Sequence, residues 1–276
     1  MHDLTVPGFL AKLNEYLGYD LEAVRPYHFE DNGDRYGWVE NEEGRSHFTM
    51  FVSGGRVTDL PDYPLRTGLR EIAKIHDGDF RLTGNQNLII ANISPENLPA
   101  IKALLEQYGF IRSHEQSGLR LSSIACVALP SCALALAESE RFLPDVVTQL
   151  EETLEELGLR HDAITIRMTG CPNGCGRPFI SEIGLVGRGP GRYNVYLGGG
   201  HAGDRLSKLF REDVRGEEIA VVLEPVIRAY AQQRNDGERF GDFVIRAEFV
   251  NATVQGDDFH KNLGDVKAAE VVPTLA

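Results

Sequence analysis

The chain has 276 residues, of which 42% are hydrophobic and 25% charged, so collagen-like, mucin-like and wholly disordered readings are excluded. Its net charge of −13 argues against a nucleic-acid binder, which needs a basic face. The longest apolar runs, Leu88–Ile93 and Ile219–Leu223, fall well short of the roughly 18–20 residues of a membrane span. Met1-His2-Asp3-Leu4 offers neither a basic nor an apolar signal region, so no secretory signal is expected and the expected compartment is the cytoplasm.

Residues 7–17 open with Pro7 and place Phe9, Leu10, Leu13, Tyr16 and Leu17 at helical spacing. Strand-like runs follow at Tyr36–Glu40 and His47–Val52, the second ending in a Gly54-Gly55 turn. Leu65, Leu69, Ile72, Ala73 and Ile75 predict a helix, Leu88–Ile93 a buried strand, and Asn97–Tyr108 a helix closed by Gly109. Hairpin material feeding a helix, a strand and another helix reads as a ferredoxin-like α+β unit over residues 1–111.

The polar stretch Arg112–Arg120 separates this unit from a second one, residues 112–276, which is expected to be α/β. There Pro144 opens a helix carrying Val147, Leu150, Leu154 and Leu157, stopped by Gly158. Ile164–Met168 is a predicted strand, and Glu182–Gly187 and Tyr193–Leu197 are two more, joined by Gly189-Pro190-Gly191. Glu217–Arg234 is helical in pattern, with Pro225 expected to kink or restart it. Phe243–Phe249 reads as a last strand, and beyond Asn251 the fading pattern predicts a mobile or surface-hugging tail.

The chemistry is concentrated in four cysteines. Cys126 and Cys132 have five residues between them, and Cys171 and Cys175 have three. In a reducing compartment, paired thiols read first as metal or cluster ligands. Thr169-Gly170-Cys171-Pro172-Asn173-Gly174-Cys175-Gly176-Arg177-Pro178 alternates breakers with thiols, which leaves backbone amides free to point at sulfur. Cys126-Val127-Ala128-Leu129-Pro130-Ser131-Cys132 is apolar, as suits walls that keep water off a cluster. Four thiolates suit tetrahedral zinc or an iron–sulfur cluster. The five-residue gap stretches the two to four residues usual in zinc knuckles. Two free buried thiols plus a turn are the bland alternative.

The two cysteine segments, together with Ala137-Glu138-Ser139-Glu140-Arg141-Phe142-Leu143-Pro144, closely resemble the siroheme and [4Fe–4S] hemoproteins of the nitrite/sulfite reductase family. Thr67–Ile75, Gly78-Asp79-Phe80-Arg81-Leu82-Thr83, Asn85-Gln86-Asn87-Leu88-Ile89-Ile90, Gly184-Leu185-Val186-Gly187, Pro190–Asn194 and Gly241-Asp242-Phe243 extend the resemblance from about residue 25 to about residue 250. It implies that Cys126, Cys132, Cys171 and Cys175 ligate one [4Fe–4S] cluster. It implies further that Cys175 bridges to the siroheme iron, where sulfite would be reduced to sulfide with six electrons. Gly174 and the apolar spacer of the first pair favour sulfite over nitrite. The Cys126 segment and Gly241-Asp242-Phe243 look like the NADPH-linked type, whose donor is a flavoprotein carrying FAD and FMN.

The resemblance covers only the second of the family's two pseudo-repeated halves. The cationic residues that hold sulfite belong to the first half and cannot be mapped onto this chain. The chain is therefore expected to be incomplete alone, to need that N-terminal half, and to retain siroheme weakly.

The resemblance makes Gln86 and Asn87 siroheme contacts, against a turn bonding its own backbone. Asn173 would bond sulfur, against merely tolerating a left-handed backbone. Arg177 would pair with a siroheme carboxylate, against a solvated role. The eight histidines show no ligand spacing and are expected in surface or core roles. The rival to a reductase is a non-catalytic iron–sulfur or zinc protein.

Overall fold

The computed structural model describes residues 5–27 and 29–253. The chain divides into two units, Met1–Glu30 and Asp31–Ala276. The first contains helix α1 (Val6–Leu17), which the side chain of Thr5 caps by accepting the Gly8 N–H and which Gly18 ends at φ 75°.

The second unit carries two large sheets. A four-stranded antiparallel sheet runs in the order β1 (Gly37–Glu40), β2 (Ser46–Met50), β6 (Leu88–Ile93), β5 (Asp79–Leu82). Between β2 and β5 lie a small hairpin, β3 (Asp59–Leu60) with β4 (Tyr63–Pro64), and helix α2 (Leu65–Ile75). Leu65, Leu69 and Ile72 fall on one face of α2 because their spacing follows the helical repeat. They pack with Phe48, Met50, Ile90 and Ile93 of the sheet and with Ile101 and Leu105 of α3 (Leu98–Gln107). The α+β expectation is borne out here.

Helix α4 (Gly118–Leu121) leads into a five-stranded sheet in the order β11 (Lys208–Arg215), β10 (Arg192–Leu197), β9 (Ile183–Gly189), β8 (Ile166–Thr169), β7 (Ser123–Ala125). β7, β8 and β9 are parallel, and β9, β10 and β11 are antiparallel. Helix α5 (Leu143–Glu156) makes the crossover from β7 to β8, as parallel pairing requires. With α6 (Ile219–Gln233) and α7 (Phe240–Arg246) it covers one face of the sheet. Val147, Leu150, Leu154, Leu223, Ile227, Phe243 and Val244 pack there on Ala125, Ile166, Met168, Ile183 and Leu185. Strand residues alternate between faces, so Ile124, Arg167 and Thr169 lie on the opposite face.

Two expectations are corrected. Phe243–Phe249 is not a strand: Phe240, Phe243 and Val244 are buried at helical spacing in α7, and a short apolar run does not distinguish the two. Pro225, expected to kink or restart the helix, does not restart α6, which runs through it. The carbonyl four residues earlier belongs to Val221, which is 67% exposed, so water can take the place of the missing N–H. Strands β5, β7 and β11 carry too little periodicity to be expected. The tail foreseen as mobile lies, from residue 254 onward, outside the described residues.

Candidate metal centre

Parallel pairing of β7 and β8 places Ala125 opposite Met168, so the chain leaves both strands at the same end and enters the two cysteine loops side by side. Ligands of parallel sheets gather at such carboxyl ends. The Cys126 N–H donates to the Met168 carbonyl at 3.1 Å, carrying the ladder one residue further. The Gly170 N–H donates to Cys126 Sγ at 3.2 Å, and Thr169 Oγ1 lies 3.4 Å from the same sulfur. In return, the Gly170 carbonyl accepts from the N–H groups of Leu136 at 2.8 Å and Ala137 at 3.0 Å. A methyl on Gly170 would lie 2.6 Å from Ala128 Cβ and 2.7 Å from the Ala137 carbonyl oxygen, so this interlock admits only glycine.

The first loop turns at Ala128, whose φ is +47°, and its carbonyl accepts the Cys132 N–H at 2.7 Å. In the second loop Gly174 at φ +72° and Arg177 at φ +57° bend the chain around Cys175. Cys171 is buried, Cys126 and Cys132 are partly buried, and Cys175 is exposed. Amide donation to sulfur, foreseen from the breakers, is present at Cys126. The apolar spacer does not form a closed wall: Ala128 and Ala137 are buried, whereas Val127, Leu134 and Leu136 face solvent.

Among the described residues, no three His, Cys, Asp or Glu side chains are gathered tightly enough to hold one metal ion. A zinc ion with bonds of about 2.3 Å would draw its thiolates to within about 4 Å of one another. An iron–sulfide cube holds its four thiolates wider apart, and four thiols on two loops are the donor chemistry it takes.

Gln86, at φ +67°, directs its side-chain amide at the backbone of Ala125. Nε2 donates to the Ala125 carbonyl at 2.7 Å, and Oε1 accepts the Ala125 N–H at 3.1 Å. It thus acts as a one-residue strand on the free edge of β7, directly before Cys126. Asn87 is buried and turned inward: Nδ2 donates to Asp34 at 2.7 Å and to the Tyr36 hydroxyl at 2.9 Å, and Oδ1 accepts the Val52 N–H at 2.9 Å. Asn173 is exposed. Arg177 is exposed as well, and its guanidinium donates to the Gly84 carbonyl.

Sequence reasoning missed three features. Arg167, in the middle of fully buried β8, is 2% exposed. Its Nη1 reaches the Arg177 carbonyl at 3.5 Å, and its Nε has no partner. Burial, with the Arg177 charge nearby, lowers its pKa to about 10. The detectable signal was a cation inside a run that otherwise reads as a buried strand. The second is the pairing of the Gly170 amide with Cys126: the breakers foretell amides on sulfur, but not that this one reaches across to the other loop. The third is a buried pair: Glu182 Oε2 lies 3.1 Å from His201 Nδ1 and accepts the Thr165 N–H at 2.8 Å, while Oε1 accepts the Gly241 N–H at 3.0 Å.

The profile of the nitrite/sulfite reductase ferredoxin-like half domain matches residues 39–108, the region of the four-stranded sheet. Over 263 residues, 95% of the chain, it is 58% identical to a sulfite reductase [NADPH] hemoprotein beta-component of Methylorubrum populi, of which it covers 43%. To the protein of the same name from Bacillus subtilis it is 55% identical over 249 residues, covering 90% of this chain and 44% of that one. Among solved structures, the Mycobacterium tuberculosis NirA protein superposes with a TM-score of 0.73 at 27% identity, covering 90% of this chain and 47% of NirA. The chain therefore spans less than half the length of the curated relatives it matches. Residues 39–108 thus carry the nitrite/sulfite reductase ferredoxin-like half-domain profile, and over most of its length the chain is similar to sulfite reductase [NADPH] hemoprotein beta-components.

Proposed function

We propose that Cys126, Cys132, Cys171 and Cys175 hold one [4Fe–4S] cluster, and that this chain is the cluster-bearing part of a siroheme sulfite reductase. The observation that carries this is the seating of the two cysteine loops at one end of parallel β7 and β8, with the Gly170 amide on Cys126 Sγ. When bound, the cluster supplies single electrons, and the siroheme supplies the iron at which sulfite is taken to sulfide with six electrons.

The chain's own part is to hold and tune. Cys171 would supply a buried thiolate to the cluster, and Cys175 an exposed one that would also meet the siroheme. The Gly170 N–H stabilises negative charge on Cys126, and Gln86 fixes the strand edge that delivers Cys126. The cationic cradle for sulfite and the second wall of the siroheme site belong to the remaining length of the longer relatives. A flavoprotein carrying FAD and FMN and drawing on NADPH is the proposed donor, consistent with the relatives' description as an NADPH-linked beta-component.

Anaerobic reconstitution with iron and sulfide tests the centre. About four irons and four sulfides per chain, with a cluster signal in electron paramagnetic resonance after reduction, are expected. One zinc per chain and no sulfide would overturn it. The chain alone should retain siroheme weakly, and a tightly held siroheme band would show that the second wall is dispensable.

A further inference from the structure

Arg167 is charged, almost wholly buried and without a carboxylate partner among the described residues. Leaving such a charge uncompensated costs several kcal/mol, so structures rarely tolerate it. The like charge of Arg177, on the loop that presents Cys171 and Cys175, disfavours the charged form of Arg167 further. A buried cation with a like charge nearby and no carboxylate partner among the described residues marks a place where an anion is owed.

A small cavity of ≈ 20 Å³ adjoins Arg167, lined also by Asp31, Asn32, Asn85, Thr165 and His201. It has room for a water, which could accept from Nε but would not neutralise the charge. Asp31 does not serve either. It forms no ion pair with Arg167, its side chain is 66% exposed, and it lies 3.5 Å from His201 Nε2.

Two contacts link this strand face to the cysteine loops. Arg167 and Thr169 share the face of β8 opposite the helices, and Thr169 Oγ1 touches Cys126 Sγ. Arg167 Nη1 meets the carbonyl of Arg177, two residues past Cys175. Arg167 thus shares a strand face with the residue that touches Cys126 and has a backbone contact just past Cys175.

We infer that Arg167 is the buried counter-charge of the thiolate-bound cluster: its positive charge is balanced only when the four thiolates carry iron and sulfide, and it sets the reduction potential of that centre. This inference rests on the cluster reading proposed above. Adding an electron makes the centre more negative, so a fixed cation nearby favours the reduced form and raises the potential. The same cation destabilises the metal-free chain. Arg167 is thus a positioning and tuning residue that does not touch substrate.

The test uses the full chain in metal-free and reconstituted forms, as wild type, Arg167→Met and Arg167→Lys. Arg167→Met should raise the urea midpoint of the metal-free chain, speed iron loss from the reconstituted chain, and shift the cluster potential to more negative values. Arg167→Lys, which keeps the charge, should hold the potential near wild type. A purely structural arginine would instead lower stability in both forms and leave the potential unmoved. An unchanged potential in Arg167→Met, or metal-free stability falling in step with the loaded form, overturns the inference while the cluster stands. A wild-type chain that assembles no iron and sulfide overturns the cluster reading, and this inference with it.

Discussion

Gly176 follows Cys175 and packs against the hydrogen bond that ties the two cysteine loops together. A Cβ built there lies 2.4 Å from the Met168 carbonyl oxygen, 3.2 Å from its carbon and 3.3 Å from the Cys126 nitrogen. The first and last of these atoms are partners in the 3.1 Å bond from Cys126 to Met168. Ordinary contact begins near 3.4 Å, so Gly176→Ala requires a shift of about 1 Å against backbone that cannot rotate away. Overpacking of this kind costs about 1–3 kcal/mol, and weakening the bond adds about 0.5–1.5 kcal/mol. A total of about 2–4 kcal/mol should lower Tm by roughly 5–15 °C in a unit of this size. Gly189→Ala is the control: nothing lies within 4 Å of its built Cβ, and it should change stability by no more than about 0.5 kcal/mol. Thermal and urea unfolding of the metal-free chains give the comparison, and iron retention after reconstitution should fall only in Gly176→Ala. Melting of Gly176→Ala within 1–2 °C of Gly189→Ala, as a rough threshold, would refute the close-packing argument.

Gln86→Leu removes both bonds to Ala125, leaving an edge N–H and carbonyl without partners, at a cost of about 1–3 kcal/mol. Hydrogen exchange at the Ala125 amide should accelerate, and unchanged protection there would count against the clamp. Glu182→Ala strips the partner from the Thr165 and Gly241 amides and from His201 together, and should cost about 3–5 kcal/mol in urea unfolding; a loss below about 1 kcal/mol would show the site relaxes freely. Burial pushes the Glu151 pKa up, but bonds from Arg120 and Ser117 outweigh it and leave the carboxyl below its ordinary 4.5. A depressed folded-state pKa means that its stabilisation is complete above 4.5 and is lost as pH falls through the lowered value. Glu151→Gln should therefore flatten the acid limb of the stability–pH curve, and an unaltered limb would show that other carboxylates set it.

What the sequence disclosed depended on whether the physics was local. Helices α2 and α5 were legible because apolar side chains at turn spacing follow from burying one face. β6 was legible because a buried strand must be apolar nearly throughout. β5 was not, since all four of its residues are exposed and impose no alternation. β11 was not, since its pairing with β10 shifts register at Val195 and its charged residues outnumber its buried ones. The metal centre divides in the same way. Four thiols in two breaker-rich loops announce ligand chemistry by residue type and spacing alone. The amide on Cys126 depends on β7 lying beside β8, a pairing across more than forty residues that no local pattern encodes. Gln86 and Asn87 illustrate the difference at neighbouring positions. Both read as polar residues ahead of a buried strand, yet one clasps the edge of β7 and the other is turned toward Asp34 and Tyr36. Arg167 lies between these cases. A cation inside Ile164-Thr165-Ile166-Arg167-Met168 contradicts the burial its neighbours demand, and that conflict is itself visible in the sequence. Only the fold shows that this strand face also carries Thr169 on Cys126 Sγ and meets the loop past Cys175, where the proposed anionic centre would resolve the conflict.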